Sequence, residues 1–256
     1  MNNNTSSEIK QMNFFEHLDE LRHRLIVCVI LVFITSGLSY WLLAKPIINL
    51  IAKPVGKQLV FLTPTEAFMV YIIVAFFCGI FISSPVVLFQ IWRFIAAGLT
   101  RKERIYVFLY APFSFLLFVG GAYFCYAVIL PVTVKFLLGF ATESITPMIS
   151  LRSYVSFTGS MLLGFGLVFQ MPIILLFLNE LGIINPSMLH KQRKYAILII
   201  FIAAAIMTPS PDVLSQLLMA LPMLFLFEIS IWLSVFTNYR KSRKEKITTI
   251  ETQESC

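Results

Sequence analysis

The sequence predicts an all-α membrane protein with six transmembrane helices, and three observations support this prediction. The chain of 256 residues is 58% hydrophobic and 13% charged, and its mean hydropathy is +0.84. Because soluble domains carry about 25% charged residues, half of the usual charge is missing. Several apolar runs reach the roughly 20 residues that a helix needs to cross a bilayer. The basic residues lie in short clusters between these runs, which indicates membrane topology and not nucleic-acid binding.

Residues 14–24, just before the first apolar run, predict an amphipathic helix. Its apolar residues recur at helical spacing and form one stripe, Phe14, Phe15, Leu18, Leu21 and Leu25. Acidic residues come early in the stretch and basic residues late, which suits the helix dipole. Two interpretations stay open. The helix lies in the headgroup region, or it forms a cytosolic surface whose carboxylates receive a basic ligand.

Six apolar segments are expected to span the membrane. They cover residues 25–44, 67–92, 105–130, 153–181, 195–209 and 213–236. The fifth segment offers only about a dozen apolar residues, too few for a normal span. We predict that the fifth and sixth helices are short. A buried fifth helix and a locally thinned bilayer both explain its length. Pro131 is expected to end the third span.

The charge distribution predicts that both termini lie in the cytoplasm. The formal net charge is +7, and of the 20 Lys and Arg residues 15 fall on the side of the N-terminus and five on the other. Basic loops mark the cytoplasmic side. We expect a disordered tail at residues 1–11, a single six-helix domain at residues 12–236 that begins with the amphipathic helix, and a basic and polar cytoplasmic tail at residues 237–256.

The sequence contains no pattern for catalysis, metal binding or nucleotide binding. The three histidines, His17, His23 and His190, have no metal-ligand spacing, and no Walker A or GxGxxG motif occurs. The four cysteines form no CxxC pair, which argues against zinc sites and disulfides. We therefore expect no enzyme activity and no cofactor.

Two carboxylates lie beside the membrane on the predicted cytoplasmic side, and each has Lys or Arg residues close by in the sequence. Glu20 precedes Arg24 by four residues, and Glu103 lies in the basic run at residues 101–104. Local ion pairing is the simpler interpretation of both, although exposed pairs contribute little stability. The alternative is a binding site for a basic ligand.

Five further residues have ordinary structural interpretations. Gln170 lies in the middle of the fourth span, where a polar side chain must face a helix neighbour or a water-filled recess. Glu228, toward the cytoplasmic end of the sixth span, is expected to pair with a basic residue. Asp212 is predicted to cap the sixth helix. Pro54 is interpreted as a turn residue, and Tyr126 as an interfacial or core aromatic.

Six motifs together resemble the TatC family, the multispanning core of the twin-arginine (Tat) protein translocase. In chain order they are residues 17–24 (HLDELRHR), 84–92 (SPVVLFQIW), 94–99 (FIAAGL), 102–104 (KER), 165–172 (FGLVFQMP) and 208–216 (TPSPDVLSQ). One such motif is weak evidence, but six in the expected order and on the expected sides are specific. The resemblance covers residues 14–236, nearly the whole chain.

The resemblance implies a receptor in the cytoplasmic membrane that binds twin-arginine signal peptides and exports folded precursor proteins. It places Glu20, Arg22, Phe94 and Glu103 in the cytoplasmic recognition surface. Guanidinium forks match carboxylates there, and lysine does not reproduce that geometry. It also implies TatA- and TatB-type single-span partners, self-association in the receptor complex, and transport driven by the proton-motive force instead of ATP. The partners are expected to dock on the fifth and sixth helices and near the concave face that holds Gln170.

The chain departs from the family pattern in two places. Gln170 stands where some relatives carry Glu, and since an amide does not ionise, it is no proton relay by itself. Hydrogen bonding to a partner helix is still possible there. The motif before Asp212 has an extra residue, Ser210. The other positions that match sites of functional interest in the family are Pro54, Tyr126, Pro172 and Asp212.

Two other functions are open at this point. A small-solute secondary transporter needs paired broken helices and an ionisable site at the membrane midplane. The sequence offers no second polar centre at the depth of Gln170, which argues against it. A purely structural scaffold predicts that replacing Glu20 and Glu103 changes neither export nor peptide binding.

Overall fold

A computed structural model describes residues 14–55, 59–100, 104–139, 148–207 and 213–254, and these residues are almost entirely helical. Ten α-helices follow one another in this part of the chain, namely α1 Phe14–Leu42, α2 Ala44–Ala52, α3 Pro64–Ala97, α4 Arg104–Phe124, α5 Leu130–Leu138, α6 Leu151–Val168, α7 Met171–Glu180, α8 Pro186–Lys191, α9 Arg193–Met207 and α10 Val213–Glu254. The tail predicted to be disordered lies outside the described residues.

Among the residues that the structure describes, five helical segments are long and apolar enough to cross a membrane. They are Leu18–Leu42, Pro64–Ala97, Val107–Leu138, Leu151–Glu180 and Gln216–Tyr239. These correspond to the first four predicted spans and the sixth, so the predicted class of all-α membrane protein is confirmed. The count of six spans and the orientation of the termini stay predictions.

The fifth predicted span is the short helix α9. It has 15 residues, which extend over about 22 Å at 1.5 Å per residue, less than the ~30 Å of a bilayer core. Ile200 and Ala204 are buried, but most of the other α9 residues are exposed. The prediction of a short fifth helix is therefore confirmed. Because most of its side chains are exposed, burial inside the protein does not explain why it is short.

The sixth helix is longer than the short helix predicted. α10 continues over 42 residues from Val213 to Glu254. The expectation of a short helix was wrong because the chain after the apolar run contains no glycine or proline and is rich in Lys, Arg and Glu, which favour helix. The residues predicted to form a polar tail thus continue the same helix as far as Glu254.

The amphipathic stretch and the first span form a single helix. No glycine or proline interrupts the sequence between Phe14 and Ser36, and α1 runs through both parts. α1 packs closely on α3, where the Thr35 hydroxyl donates to the carbonyl of Gly79 at 3.0 Å. A Cβ atom at Gly79 would collide with Ser36, and such small residues allow membrane helices to approach closely. α3 thereby positions the second half of α1.

The third span is longer than predicted because Pro131 does not end it. A π-helical turn, Cys125–Ile129, joins α4 to α5, and the N–H of Leu130 donates to the carbonyl of Cys125. Proline has no N–H, and in a regular helix its ring collides with the carbonyl four residues earlier. The wider turn directly before Pro131 accommodates the ring. The helix therefore continues to Leu138.

The two loops predicted to lie outside the cell are joined by a short parallel bridge. The N–H of Val60 donates to the carbonyl of Ile149 at 3.1 Å, and the N–H of Leu151 donates to the carbonyl of Val60 at 2.8 Å. These bonds hold the chain before α3 against the start of α6.

Glu66, in the first turn of α3, strengthens the same junction. Its side chain is buried, and the carboxylate accepts hydrogen bonds from the N–H of Leu62 at 2.7 Å, from the N–H of Arg152 at 3.0 Å and from the Ser150 hydroxyl. Charge-assisted bonds of this kind are among the stronger ones in proteins. Thr63 is the N-cap of α3, and Pro64 is its first residue.

The largest cluster of buried apolar side chains gathers α5, α6, α9 and α10. Its fully buried members include Leu130, Met161, Phe165, Met219 and Met223. A smaller cluster joins the end of α3 to α4 and α7. There the ring of Trp92 meets Phe177 edge-on with 5.1 Å between centroids and lies 6.2 Å from Tyr110. This second cluster fixes the end of α3 at the predicted cytoplasmic side.

Candidate functional site

A charged recess of about 620 Å³ lies between the start of α1 and the end of α3. Its polar lining residues are Asp19, Glu20, Arg22, His23, Arg24, Gln90 and Arg93. Both carboxylates and two of the three arginines belong to α1, and the third arginine, Arg93, belongs to α3. The described residues contain no group of three or more His, Cys, Asp and Glu side chains that would hold a metal ion. The lining offers two carboxylates that can accept hydrogen bonds and three guanidinium groups that can donate them.

The α1 wall of the recess is built by helical spacing. Glu20 and Arg24 are four residues apart and lie on one face, and Nη2 of Arg24 donates to Oε1 of Glu20. The two side chains are only 21% and 11% exposed. The predicted local pairing of Glu20 is therefore confirmed, and it occurs inside the recess.

The pairing of Glu20 with Arg24 is incomplete. Oε2 of Glu20 and Nη1 of Arg24 are buried, and neither has a hydrogen-bond partner within the described part of the chain. A buried carboxylate oxygen without a donor costs free energy. The carboxylate can therefore gain from a ligand that brings a second N–H group.

The α3 wall is positioned by the Trp92 cluster. Arg93 follows Trp92 directly and lines the recess, and Phe94 comes next and is half-buried. Arg104, the first residue of α4, donates from Nε to the carbonyl of Ala96 at 3.3 Å, so α4 begins beside the end of α3. The structure thus brings Glu20 and Arg22 into one recess with the residue that precedes Phe94. Glu103 lies outside the described residues.

Gln170 lies between α6 and α7 and is 7% exposed. Its Nε2 donates to the carbonyls of Ser114 at 3.0 Å and Gly166 at 3.4 Å, and its Oε1 accepts from the Ser114 hydroxyl. The helix breaks here because Pro172, which has no N–H, stands in the first turn of α7. Of the two alternatives that the sequence left open for Gln170, a helix neighbour and a water-filled recess, the structure has the helix neighbour, which is α4.

Glu228 pairs with a basic residue of the neighbouring helix, as predicted. Nη2 of Arg193 at the start of α9 donates to Oε2 of Glu228 in α10 at 3.0 Å. Both side chains are about two-fifths exposed, at 40% and 43%. Because exposed pairs contribute about 0–1 kcal/mol, this pair orients α9 on α10 more than it stabilises them.

Two tyrosines hold the carboxyl end of α2. The hydroxyl of Tyr126, in the π-helical turn, donates to the carbonyl of Leu50 at 3.1 Å. The hydroxyl of Tyr154 donates to the carbonyl of Ile51 at 2.9 Å. These bonds satisfy carbonyl groups that a helix end leaves unpaired. Tyr126 also lines an almost purely apolar cavity of about 350 Å³.

Pro54 does not line the recess. Pro54 lies in a short 3-10 helix, Lys53–Val55, directly after α2, which agrees with its interpretation as a turn residue. Asp212 is outside the described residues. The candidates that the structure describes thus occupy separate places: the recess, the helix break at Gln170, the α9–α10 pair and the end of α2.

Sequence reasoning missed two functional candidates in the recess and one polar junction. In the sequence Arg93 is one of the basic residues that indicate topology and Gln90 is a single polar residue near the end of an apolar segment, although a spacing of three residues puts both on one helix face. Asn179 is 4% exposed, and its Nδ2 donates to Oδ1 of Asn238 at 3.2 Å and to the carbonyl of Ser234 at 3.4 Å. The sequence signal for this junction is Asn179 itself, a polar residue near the end of an apolar segment.

Long apolar helices, polar side chains buried between them and a charged recess at one end define a multi-pass helical membrane protein. Comparison with known families makes this more specific. The family model for the Sec-independent protein translocase protein (TatC) matches residues 16–222. The chain belongs to the TatC family and is a component of a Sec-independent protein translocase.

Relatives agree with this assignment over nearly the full length of the chain. The TatC protein of Carboxydothermus hydrogenoformans is 40% identical over 242 residues, which cover 93% of this chain and 99% of the relative. The TatCy protein of Bacillus subtilis is 39% identical over 244 residues, or 94% and 95% of the two chains. A crystal structure of the twin arginine translocase receptor TatC has a TM-score of 0.79 and 41% identity, and it covers 87% of this chain and 100% of that one.

Proposed function

We propose that this chain is the receptor of a Tat translocase and binds the paired arginines of a signal peptide in the α1–α3 recess. The recess itself carries the proposal, because it gathers Glu20 and Arg22 with Gln90 and Arg93 from a distant part of the chain. A solved relative is described as the twin arginine translocase receptor. The recess lies at the end of the spans where a cytoplasmic peptide first meets the membrane.

The chemistry of the recess favours arginine over lysine. A guanidinium group donates two parallel N–H bonds to one carboxylate, whereas an ammonium group acts as a point charge. Glu20 supplies one carboxylate, and Glu103, which follows in the α3–α4 connection, supplies the second. Phe94 provides an apolar contact and Arg22 orients the acidic groups. The two carboxylates thereby match two consecutive arginines.

The export step is proposed to use partner proteins. Single-span proteins of TatA and TatB type would dock near the α6–α7 break with Gln170 and Pro172, and on α9 and α10, where Glu228 orients the two helices. Tyr126, Pro54 and Asp212 would shape the outer loops. Folded precursors would cross the cytoplasmic membrane with the proton-motive force, from a self-associated complex whose receptor has both termini in the cytoplasm. A bilayer thinned beside the short α9 would lower the barrier to crossing.

Site-specific crosslinking tests the recognition site. A photo-reactive residue at Gln90, on the α3 wall of the recess, reports on the site and leaves both proposed guanidinium acceptors, Glu20 and Glu103, in place. We expect an Arg-Arg signal peptide to crosslink there, and both Glu20→Ala and Glu103→Ala to abolish the product, because each removes one guanidinium acceptor. Glu180→Ala, at the end of α7 and outside the recess, should leave crosslinking unchanged.

Assembly of the variants with partner proteins serves as the control for folding. If the variants assemble and still crosslink as well as the unchanged protein, Glu20 and Glu103 do not bind the peptide, and the scaffold function is favoured. A Lys-Lys peptide should crosslink weakly in every case, because it cannot form the bidentate bonds.

A further inference from the structure

We infer that Arg24 occupies Glu20 as an internal substitute for a signal-peptide arginine and thereby sets how tightly the recess binds arginine peptides. This inference rests on the proposed function, since it concerns the same carboxylate. Arg24 thus competes with the signal peptide for Glu20 and does not itself contact the peptide.

The first step is that Glu20 is already occupied. Nη2 of Arg24 donates to Oε1 of Glu20 within the recess, and the two side chains are largely buried. A Glu that precedes its basic partner by four residues has the favoured orientation for such a pair on a helix. A peptide guanidinium that needs both oxygens of Glu20 must therefore displace Arg24.

The second step is that the internal pair is replaceable. Arg24 satisfies only one carboxylate oxygen, and Oε2 of Glu20 has no partner among the described residues. A guanidinium group that arrives in the fork-to-fork geometry satisfies both oxygens, and bidentate pairs are stronger than single ones. The exchange replaces a one-bond pair by a two-bond pair, so it favours binding, but less than an unoccupied carboxylate would.

The third step concerns the displaced residue. Arg24 shares the recess with Arg22 and Arg93, so a displaced Arg24 meets like charge and returns to Glu20 when the peptide leaves. Such an intramolecular competitor lowers the affinity for the peptide and speeds its release, because Arg24 takes the place of the departing guanidinium group on Glu20. Most differences in affinity within one site arise in the dissociation rate.

Peptide binding to Arg24 variants of the full chain in nanodiscs tests the inference. Arg24→Met keeps the length of the side chain and removes its donors. We expect it to tighten binding of a fluorescent Arg-Arg signal peptide by about two- to five-fold, because the peptide then no longer has to displace the single-bond pair with Glu20. Dissociation of the peptide should slow correspondingly. Arg24→Lys keeps the charge but loses the planar guanidinium group. Its affinity for the peptide should lie between those of the unchanged protein and Arg24→Met.

Arg93→Met is the matched control for charge. It removes one positive charge from the same recess, but Arg93 is not paired with Glu20. If both variants tighten binding equally, general repulsion of the peptide explains the effect and the competition is disproved. A larger effect of Arg24→Met supports the competition. Thermal unfolding of each variant verifies that it is folded. If Arg24→Met does not fold, the binding of the Arg-Arg peptide to Arg24→Lys decides the test.

The two proposals fail in different ways. If the unchanged protein binds the Arg-Arg peptide and Glu20→Ala abolishes binding, the proposed function stands. Weaker binding by Arg24→Met in that situation would overturn the inference alone, because it would make Arg24 a supporting residue of the site. If the unchanged protein does not bind the peptide at all, the proposed function is wrong, and the inference is wrong with it.

Discussion

The Gln170 side chain uses both ends of its amide within the apolar part of the molecule. Oε1 accepts from the Ser114 hydroxyl, and Nε2 donates to the Ser114 carbonyl at 3.0 Å. Buried polar groups destabilise a protein when they are unpaired, and these are paired. A carboxylate at this position would have no N–H group to give to the Ser114 carbonyl. The amide thus connects the α6–α7 break to α4 without ionisation.

Replacement of either partner should destabilise the protein. We expect Gln170→Leu and Ser114→Ala each to lower the free energy of unfolding by about 1–2 kcal/mol, because each leaves a buried polar group without its partner. The double variant should lose less than the sum, since both changes remove the bond from the Ser114 hydroxyl to Oε1 of Gln170. Thermal unfolding in detergent measures these effects.

Ser160→Ala is the matched control for this pair. Ser160 is exposed on α6, and its hydroxyl bonds only to carbonyls of its own helix, those of Ser156 and Phe157. Its replacement should change the free energy of unfolding by less than about 0.5 kcal/mol. Strict additivity of Gln170→Leu and Ser114→Ala would contradict the coupling proposed here.

At the scale of elements, α7 links three parts of the molecule. Its first turn follows Gln170, and its penultimate residue, Asn179, bonds to Asn238 of α10. Between them, Phe177 packs edge-on against Trp92, the residue before Arg93 of the recess. A change in the packing of α7 should therefore reach the recess through the end of α3.

Phe177→Leu tests this connection. We expect it to reduce crosslinking of an Arg-Arg peptide at Gln90 by about five-fold, which corresponds to about 1 kcal/mol of lost positioning. The smaller side chain no longer supports Trp92, although neither residue touches the recess. Ile174→Ala, on an exposed part of the same helix, is the control and should leave crosslinking unchanged. Equal losses in both variants would show that the effect comes from general destabilisation of α7.

At the scale of the whole molecule, the short α9 decides the topology. If α9 crosses, Ser187 in α8 and the connection that contains Ser210 lie on opposite sides of the membrane. α10 then returns to the side on which α1 begins. If α9 does not cross, α10 ends outside. The basic residues after Tyr239 favour the first arrangement.

Cysteine labelling measures this directly. In a chain whose native cysteines are replaced, we expect a membrane-impermeant thiol reagent to reach Ser210→Cys from the outside of intact cells, and Ser187→Cys only after lysis. Positive charge retained in the cytoplasm is the physical reason. Reaction of both positions from the same side would remove α9 from the list of spans and reverse the orientation of α10.

The sequence by itself determined the class of the protein, its apolar segments, the family and most of the candidate residues. Hydrophobic length, charge clusters and the four-residue spacing of Glu20 and Arg24 are local properties, and each acts within one helix. For the same reason the sequence could predict that Gln170 needs a partner and that Glu228 pairs with a base.

Only the tertiary structure decided which partners these residues have. Ser114 is 56 residues from Gln170 along the chain, and Ser150 is 84 residues from Glu66. Arg93 enters the site of Glu20 because α1 packs against α3 at Gly79. The rotation and depth of one helix on another depend on the packing of many side chains together, and no short stretch of sequence contains that information.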